Sequence, residues 1–357
     1  MNIAFYITGH GFGHAARSIE IINALYKKGA VTKLYLRTSV PEWFFFDSFD
    51  GKIDYDYHHE LIDVGVVQKD ALRLDKKATL FSIAAFLDSW NDLILKETSD
   101  LRSKNIDLII SDITPVAFLI ADKLNLPSIA ISNFIWSWIY KDYVKEYPDY
   151  GYVIEKINMA YSKALFALRY PFYGDFFCFK EVFNIGLVAR KSDKSRADIL
   201  KGLGLPIDFS KKIILIAFGG FSVELAMDYK SANSEYHIIY ADNTKTMSGI
   251  TVPDMIAVSD AVIGKPGYGM VSECIAAQTP FLYTSRGDFA EYRKLVEGMK
   301  KYIPAVFIPN VSLLKGDILP YLDKLFSLKR TKKDIVNDGA LEAAEKILYY
   351  CQKKTDS

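Results

Sequence analysis

Cysteine and net charge are both scarce in this sequence, and each shortage excludes a class of protein. Its three cysteines, Cys178, Cys274 and Cys351, stand far apart and form no C-x-x-C pair. Neither a disulfide framework nor a zinc site is therefore indicated. Lysine plus arginine total 44 against 43 for aspartate plus glutamate, and the net charge is +1. That balance favours neither nucleic acid nor an anionic membrane as a partner.

Long apolar runs are lacking as well. No stretch approaches the roughly 20 residues that a membrane-spanning helix needs. The apolar run at residues 3–7 follows no basic segment, so a core strand is expected there rather than a signal peptide. Half of the 357 residues are hydrophobic, and a domain usually has roughly 100–200 residues. A cytoplasmic enzyme of two domains is the simplest interpretation.

Strand-like and helix-like segments alternate along the chain. Strands are expected at residues 3–7, 31–36, 53–57, 106–111, 128–132, 213–218, 237–240, 261–263, 280–283 and 305–307, and helices at 75–103, 116–124 and 339–351. Near-continuous apolar strands divided by helices predict parallel sheets that are covered on both faces. The polar stretch 191–196 is the expected linker. We therefore predict an N-terminal domain at 1–188, a C-terminal domain at 189–338, and a closing helix and tail at 339–357.

The most informative segment is ITGHGFGHAARS at residues 7–18. It follows the first strand and precedes a helical pattern, so it forms a strand-to-helix turn. Open parallel sheets bind ligands at the carboxyl ends of their strands. Gly11 and Gly13 would let a ligand approach the backbone, and His14 can accept a proton near neutral pH. A plain tight turn is the alternative.

Two more glycine-rich segments follow strands. Gly219, Gly220 and Ser222 belong to FGGFS, whose backbone N–H groups can bind a phosphate. The segment GKPGYGMVSE at 264–273 leads into a helix whose N-terminus offers unpaired N–H groups and a positive dipole end to a diphosphate. Glu273 in that helix can accept hydrogen bonds from a ribose, or it can cap the helix as a first-turn acid.

A carboxylate follows another buried strand in the same half as His14. Asp112 ends the strand predicted at 106–111, and adjacent strands would bring the two side chains together. A carboxylate so placed orients an imidazole and stabilises its protonated form. Capping of the helix that starts near Pro115 is the alternative.

Three weaker patterns are ambiguous. Asp54, Asp56 and His58 place potential ligands on one face of a strand, but no glycine-rich turn lies near them, so no metal is expected. The aromatic block at 134–143 suits a sugar platform or a buried core. The amphipathic stretch 81–93 suits a buried helix or contact with a membrane surface.

The motifs resemble a plant protein and a wider family. The segments TGHGFGHAAR, DVGVVQ, SDITPVA, SNFIW and GKPGYG resemble the glycosyltransferase-like N-terminal region of plant L-arabinokinase. The sugar-kinase part of that protein has no counterpart among these segments, so kinase activity is not implied. The second half of the chain also resembles the nucleotide-binding domain of the GT-B glycosyltransferases, in particular the lipid-intermediate N-acetylglucosaminyltransferase of peptidoglycan synthesis.

This resemblance implies an α/β fold of the GT-B type, with two Rossmann-like, doubly wound parallel-sheet domains facing each other across a cleft. It implies that residues 267–273 hold the diphosphate and the ribose, that the loop at 251–255 reads a uracil, and that Gly219 and Gly220 form a phosphate loop. The family's Gln-rich stretch is replaced here by RGDFAE at 286–291, where Asp288 or Glu291 would take the hexose hydroxyls.

The motifs and the resemblance together predict a catalytic pair and a set of nucleotide-sugar-binding residues. The predicted catalytic residues are His14 and Asp112, and the predicted nucleotide-sugar-binding residues are Gly11, Gly13, Gly219, Gly220, Ser222, Val252, Gly267, Tyr268, Gly269, Met270, Glu273, Asp288 and Glu291. No metal and no cofactor are expected, because the helix dipole and backbone amides would stabilise a leaving diphosphate.

The predicted function is an inverting transfer of a hexosyl or N-acetylhexosaminyl group from a nucleoside diphosphate sugar, with a UDP-sugar favoured, to a hydroxyl acceptor. The acceptor is left open, with a lipid-linked molecule and a glycan as candidates. The expected location is the cytoplasm, at the inner face of the membrane if the acceptor is lipid-linked. Two alternatives stay open: a nucleotide-sugar epimerase, a chemistry also found on this fold, and a non-catalytic nucleotide-sugar-binding or sensing module.

Overall fold

The computed structural model describes residues 1–49, 51, 53–68, 74–218, 235–241, 249–329 and 335–355. The strands in these ranges are β1 (Asn2–Ile7), β2 (Lys33–Thr38), β3 (Tyr55–His59), β4 (Leu108–Asp112), β5 (Ser128–Ser132), β6 (Phe166–Arg169), β7 (Val182–Asn184), β8 (Lys212–Ala217), β9 (Tyr236–Tyr240), β10 (Ala261–Gly264), β11 (Phe281–Tyr283) and β12 (Ala305–Phe307).

The helices in the same ranges surround these strands. They are α1 (Phe12–Lys27), α2 (Glu42–Phe46), α3 (Lys76–Asp88), α4 (Trp90–Leu101), α5 (Val116–Leu124), α6 (Trp136–Glu146), α7 (Gly151–Tyr161), α8 (Arg196–Gly202), α9 (Val252–Val258), α10 (Tyr268–Ala277), α11 (Ala290–Met299), α12 (Asn310–Lys315), α13 (Leu319–Ser327) and α14 (Gly339–Thr355). Within this described part of the chain, no helix is both long and apolar enough to cross a bilayer.

The strands form two separate parallel sheets. The first has the order β3-β2-β1-β4-β5-β6-β7, and the second has the order β12-β11-β10-β8-β9 over the residues described. All the pairings between these strands are parallel. This confirms the prediction of two parallel-sheet α/β domains. The strand order reverses between β1 and β4 in the first sheet and between β8 and β10 in the second, and ligands bind at such reversal points.

Burial explains why most strands could be predicted. Every residue of β4 and of β5 is buried, as a sheet covered on both faces requires. The short, partly exposed β7 carries no such apolar run, and neither it nor β6 was predicted. The helical region predicted at 75–103 consists of two helices, α3 and α4, which are divided at Ser89. The aromatic side chains of Phe134, Trp136 and Tyr140 are buried in the core.

The last helix returns to the first domain. Ala343, Ala344 and Ile347 of α14 are buried in the same core cluster as residues of α1. Leu341 of the same helix is 50% exposed, and it lies two residues, roughly 200° around the helix, from the buried Ala343.

Two crossover segments, at residues 186–190 and 335–339, connect the domains, and they run side by side. The Leu187 N–H donates to the Val336 carbonyl at 3.1 Å, and the Gly339 N–H donates to the Leu187 carbonyl at 3.1 Å. A Cβ added to Gly339 would lie 2.6 Å from the Gly186 carbonyl carbon and would collide with its oxygen. The crossing therefore requires glycine at 339.

Gly339→Ala is expected to lower the free energy of unfolding by about 1–3 kcal/mol, because the added methyl overpacks backbone that cannot rotate away. Urea denaturation measures the change. Gly151→Ala is the matched control, since the space around Gly151 is open and this residue starts α7. It should be neutral or stabilising by about 0.4–1 kcal/mol. Equal stability of the two variants would contradict the close approach at the crossover.

Candidate functional site

The two strand-order reversals face each other across a cleft of about 480 Å³. One wall begins at the N-terminus of α1 and the other at the N-terminus of α10. These helix ends touch, because a Cβ on Gly269 would lie 3.3 Å from the Gly13 Cα. Two small residues thus let one helix end from each domain meet at the floor of the cleft.

Both helix N-termini keep their positive ends open toward the cleft. The residues before α1 and α10 are Gly11, with φ of 86°, and Gly267, and neither makes a side-chain cap. Neither first turn carries an acidic residue. Their backbone N–H groups and dipoles therefore meet no capping side chain among the described residues. Such an end binds anions, phosphates above all.

A buried hydrogen-bonded cluster stands behind the α1 end. His14 Nδ1 lies 2.9 Å from Asp112 Oδ1. Arg17 holds both carboxylate oxygens, with Nη2 at 2.6 Å from Oδ1 and Nε at 2.6 Å from Oδ2. Asp112 is fully buried, and His14 lines the cleft. The pairing of His14 with Asp112 that the sequence suggested is therefore present in the geometry.

The tautomer of His14 follows from the carboxylate beside it. Arg17 Nη2 is 2.7 Å from His14 Nδ1, and its two hydrogens have Asp112 Oδ1, Ser132 Oγ at 3.0 Å and Nδ1 within reach. We assign a hydrogen to Nδ1, because the ionised Asp112 carboxylate 2.9 Å away can only accept one. The lone pair is left on Nε2, which makes the imidazole a proton acceptor for a group in the cleft.

The charges of the cluster agree with this assignment. Burial alone would raise the pKa of Asp112, but Arg17 and His14 outweigh it and hold that pKa below its ordinary value. Burial, helped by Arg17, lowers the pKa of His14 although Asp112 opposes the shift. At neutral pH the pair is thus a carboxylate beside a neutral imidazole.

A polar chain links the cluster to the second domain. Arg17 Nη1 donates to Asn133 Oδ1 at 2.6 Å, and Asn133 Nδ2 donates to Glu291 Oε1 at 2.8 Å. Arg286 Nη1 donates to Glu291 Oε2 at 2.7 Å. The Arg17 guanidinium also lies 5.1 Å from the ring centroid of Tyr268. Glu291 lines the cleft, and each of its carboxylate oxygens accepts a hydrogen bond from a protein side chain.

Glu273 pairs with a residue of the crossover rather than capping its helix. It is the sixth residue of α10, beyond the first turn, so the capping alternative is wrong. Arg190 Nε donates to Glu273 Oε1 at 2.7 Å, and Glu273 is buried. Arg190 itself lies 5.7 Å from the Phe44 ring centroid in the first domain. Phe44, Arg190 and Glu273 line one end of the cleft together with Val252.

Most of the predicted site residues lie together. The cleft is lined by Gly11, Gly13, His14, Val252, Gly267, Tyr268, Gly269, Met270, Glu273 and Glu291. Asp288 is not among the lining residues, and it forms an ion pair with Lys76 at 3.0 Å on the surface. Gly219, Gly220 and Ser222 lie outside the described residues.

Sequence reasoning missed four cations at this site: Arg17, Arg190, Lys265 and Arg286. Burial and Arg286 lower the pKa of Lys265 to about 8. Lys265 directly precedes the turn into α10, so its place in GKPGYG was the available signal. Arg17 likewise lies within the motif that was singled out.

The potential metal ligands that lie together in the structure differ from the set that the sequence suggested. His58, Glu60 and Glu97, rather than Asp54 and Asp56, bring ligand atoms within 4.8 Å of one another. These acids already have cationic partners, since Glu60 pairs with Lys96 and Glu97 accepts from Arg37 at 3.1 Å. This group lies on the β3 side of the first sheet and is not part of the cleft lining.

Comparison with known proteins identifies the architecture. Solved structures that superpose on nearly the whole chain include the calicheamicin glycosyltransferase CalG4, with 12% identity, a TM-score of 0.59, and coverage of 99% of this chain and 96% of that one. Another is the UDP complex of S. aureus MnaA, with 10% identity, a TM-score of 0.60, and coverage of 98% and 97%. The chain has the GT-B fold. At these identities the likeness concerns the fold alone.

One sequence relative matches the resemblance noted from the motifs. L-arabinokinase of Arabidopsis thaliana is 30% identical over 355 residues, which is 95% of this GT-B chain and 33% of the plant protein. The chain thus spans about a third of the length of the curated relative that it matches. No protein-family model matches the chain.

Proposed function

We propose that this protein transfers a sugar from a nucleoside diphosphate sugar, with UDP as the nucleotide, to a hydroxyl acceptor. The observation that carries the proposal is the composition of one cleft. A neutral histidine held by a buried carboxylate lies on one side, and an uncapped, glycine-rich helix N-terminus lies on the other. The first can accept a proton and the second can bind a diphosphate, which are the two needs of this reaction.

In the proposed step, His14 Nε2 removes the proton from the acceptor hydroxyl. The acceptor oxygen forms a bond to the anomeric carbon while the bond from that carbon to the diphosphate oxygen breaks. Direct displacement of this kind inverts the anomeric configuration. Asp112 stabilises the imidazolium that forms, as the acid of a catalytic triad does, and Arg17 fixes Asp112 through both oxygens.

The departing diphosphate would be stabilised by the N-terminus of α10 and by the neighbouring Lys265. Preorganised N–H groups and cations at developing negative charge are usually the largest contribution to such catalysis. The UDP bound in the MnaA structure, on a chain of the same fold, supports UDP as the nucleotide. The uracil would lie near Val252 and the ribose beside Glu273, where the cleft ends.

Activity is expected to persist in excess chelator, because the helix N-terminus and Lys265 replace a metal at the diphosphate. UDP release in the presence of EDTA, with and without added manganese, measures this. Loss of activity in EDTA with full recovery on adding manganese would contradict the assignment of the leaving-group site.

Glu273→Ala is expected to weaken UDP binding by about 1–3 kcal/mol, the range for hydrogen bonds to a charged group. Isothermal titration calorimetry with UDP gives the affinity. Glu297→Ala is the matched control, because Glu297 is an exposed acid of the same domain, paired only with Arg293 among the described residues. Unchanged affinity in both variants would remove Glu273 from the site.

A thermal-shift panel of nucleotides and nucleotide sugars tests the function itself, because a ligand that binds the native state raises the melting temperature. We expect UDP-sugars to stabilise the protein, and acceptor-dependent UDP release with the best of them. Stabilisation without UDP release across an acceptor panel would favour the non-catalytic binding module. Interconversion of the sugar on the intact donor would favour the epimerase.

A further inference from the structure

His10, on the turn between β1 and α1, is held by the loop that follows β3. The Val66 N–H donates to His10 Nδ1 at 3.4 Å. Gly65 passes directly over the ring with φ of +67°, and a Cβ there would lie 2.7 Å from His10 Cγ. Because any other residue at 65 would be strained and would clash, this loop is shaped around the histidine.

Aromatic rings from both domains fix the plane of His10. Trp136 of α6 meets it edge-on with ring centroids 5.5 Å apart, and Phe289 of the second domain stacks on it at 6.2 Å. The ring is therefore clamped on three sides by Gly65, Trp136 and Phe289. His10 is also one of the residues that line the cleft.

A buried carboxylate supports this arrangement. Asp63 accepts from Thr8 Oγ1 at 2.8 Å and from Trp136 Nε1 at 3.0 Å. The Thr8 hydroxyl oxygen in turn accepts the His10 backbone N–H at 3.3 Å. Burial raises the pKa of Asp63 to about 6, although both hydrogen bonds lower it. Asp63, a carboxylate whose burial is energetically unfavourable, thus fixes the backbone of His10 and the Trp136 indole beside it.

The hydrogen bond from Val66 fixes the tautomer of His10. Since Nδ1 accepts a hydrogen, a neutral ring carries its own hydrogen on Nε2. Burial, followed by the charge of Arg286, lowers the pKa of His10 to about 3, so the ring is neutral over the physiological range. In the described part of the chain no hydrogen bond to Nε2 is found, and His10 lines the cleft.

We propose that His10 is a fixed hydrogen-bond donor whose Nε2–H binds an oxygen of the sugar diphosphate. His14, four residues later, is assigned the opposite tautomer and acts as the acceptor. This inference rests on the proposed function. The oxygen belongs to the β-phosphate or to a sugar hydroxyl, since both are acceptors and both would lie between α10 and His14. His10 is a binding and positioning residue, and it does not take up the proton that is transferred.

The tautomers of His10 and His14 can be determined by NMR spectroscopy without any ligand. The chain has five histidines, so ¹⁵N-histidine labelling gives a small set of long-range ¹⁵N–¹H correlations, assigned by the loss of signals in His10→Gln and His14→Gln. At pH 7.5 we expect His10 with its hydrogen on Nε2 and His14 with its hydrogen on Nδ1. Hydrogen on Nδ1 of His10, or a protonated His10 ring, would overturn the inference.

Two substitutions of His10 distinguish a hydrogen-bond donor to the ligand from a residue with a purely structural role. His10→Gln places an amide N–H₂ near the position of Nε2, whereas His10→Asn retains only an acceptor near Nδ1 for the Val66 N–H. We expect His10→Gln to keep most of the affinity for UDP-glucose and His10→Asn to lose about tenfold, the loss of one good hydrogen bond. A purely structural His10 would give the reverse order.

Calorimetric titration with two probes locates the oxygen. A tenfold loss by His10→Asn for both UDP and UDP-glucose assigns the β-phosphate, and a loss for UDP-glucose alone assigns a sugar hydroxyl. Equal affinities of wild type, His10→Gln and His10→Asn for both probes would overturn the inference while leaving the proposed function intact. If the wild type binds neither probe, the ligand assignment fails together with the proposed function, whatever tautomers the spectra show.

Discussion

His14→Ala is expected to lower the rate of sugar transfer by about 10²–10⁴-fold, the usual contribution of a general base. Its affinity for UDP should stay at the wild-type value, because the nucleotide is proposed to bind the second domain. Initial rates of acceptor-dependent UDP release, with the donor chosen from the thermal-shift panel, measure the first effect. Calorimetry with UDP measures the second.

His59→Ala is the control for this experiment, since His59 is an exposed histidine at the end of β3 in the same domain. It should leave both quantities unchanged. The pH profile gives a second check. Because burial and Arg17 lower the pKa of His14 from its ordinary 6.5, the base form persists at neutrality, and the rate should fall only at pH below that value. Near-normal turnover of His14→Ala, or loss of its UDP binding, would contradict the assignment.

Asp112→Ala is expected to lower the free energy of unfolding by about 3–5 kcal/mol, the cost of leaving one member of a buried ion pair unpaired. The substitution removes two hydrogen bonds from Arg17, one from His14 and one from Ser18, and the Arg17 guanidinium is almost fully buried. Urea denaturation at neutral pH measures the loss.

The double variant Arg17→Leu, Asp112→Leu is the matched control. Replacing both partners by apolar side chains removes the unpaired charge, so most of the stability lost in the single variant should return. The pH dependence has a definite sign. The folded-state pKa of Asp112 is below the ordinary 3.8, so its stabilisation is complete above that value and is lost as pH falls through the folded-state pKa. A double variant no more stable than Asp112→Ala would contradict the ion-pair account.

The architecture could be predicted because it depends on local pattern. The bounds of β5 and of α5 agree with the sequence prediction, since β5 is a buried apolar run and α5 ends at Asn125 in a left-handed C-cap. The helical region predicted at 75–103 is present, but it is divided at Ser89 into α3 and α4. Nothing in the local sequence, such as a proline or a glycine, marks this division.

The site was predictable only in part, because its electrostatics depend on residues far apart in sequence. The pairing of Glu273 with Arg190 spans 83 positions, and the Asn133–Glu291 bond spans 158. Nothing in the local sequence reveals these partners. Asp288 and Glu291 look equivalent in the segment RGDFAE. Glu291 lies in the first turn of α11 and lines the cleft, whereas Asp288 precedes that helix and pairs with Lys76 on the surface.

A crystal structure of the protein with UDP would show whether the cleft binds a nucleoside diphosphate on the N-terminus of α10. The account predicts diphosphate oxygens at about 2.7–3.2 Å from backbone N–H groups at the start of α10. It also predicts a ribose hydroxyl on Glu273 and the uracil near Val252. UDP bound elsewhere on the protein, or no UDP density at saturating concentration, would contradict it.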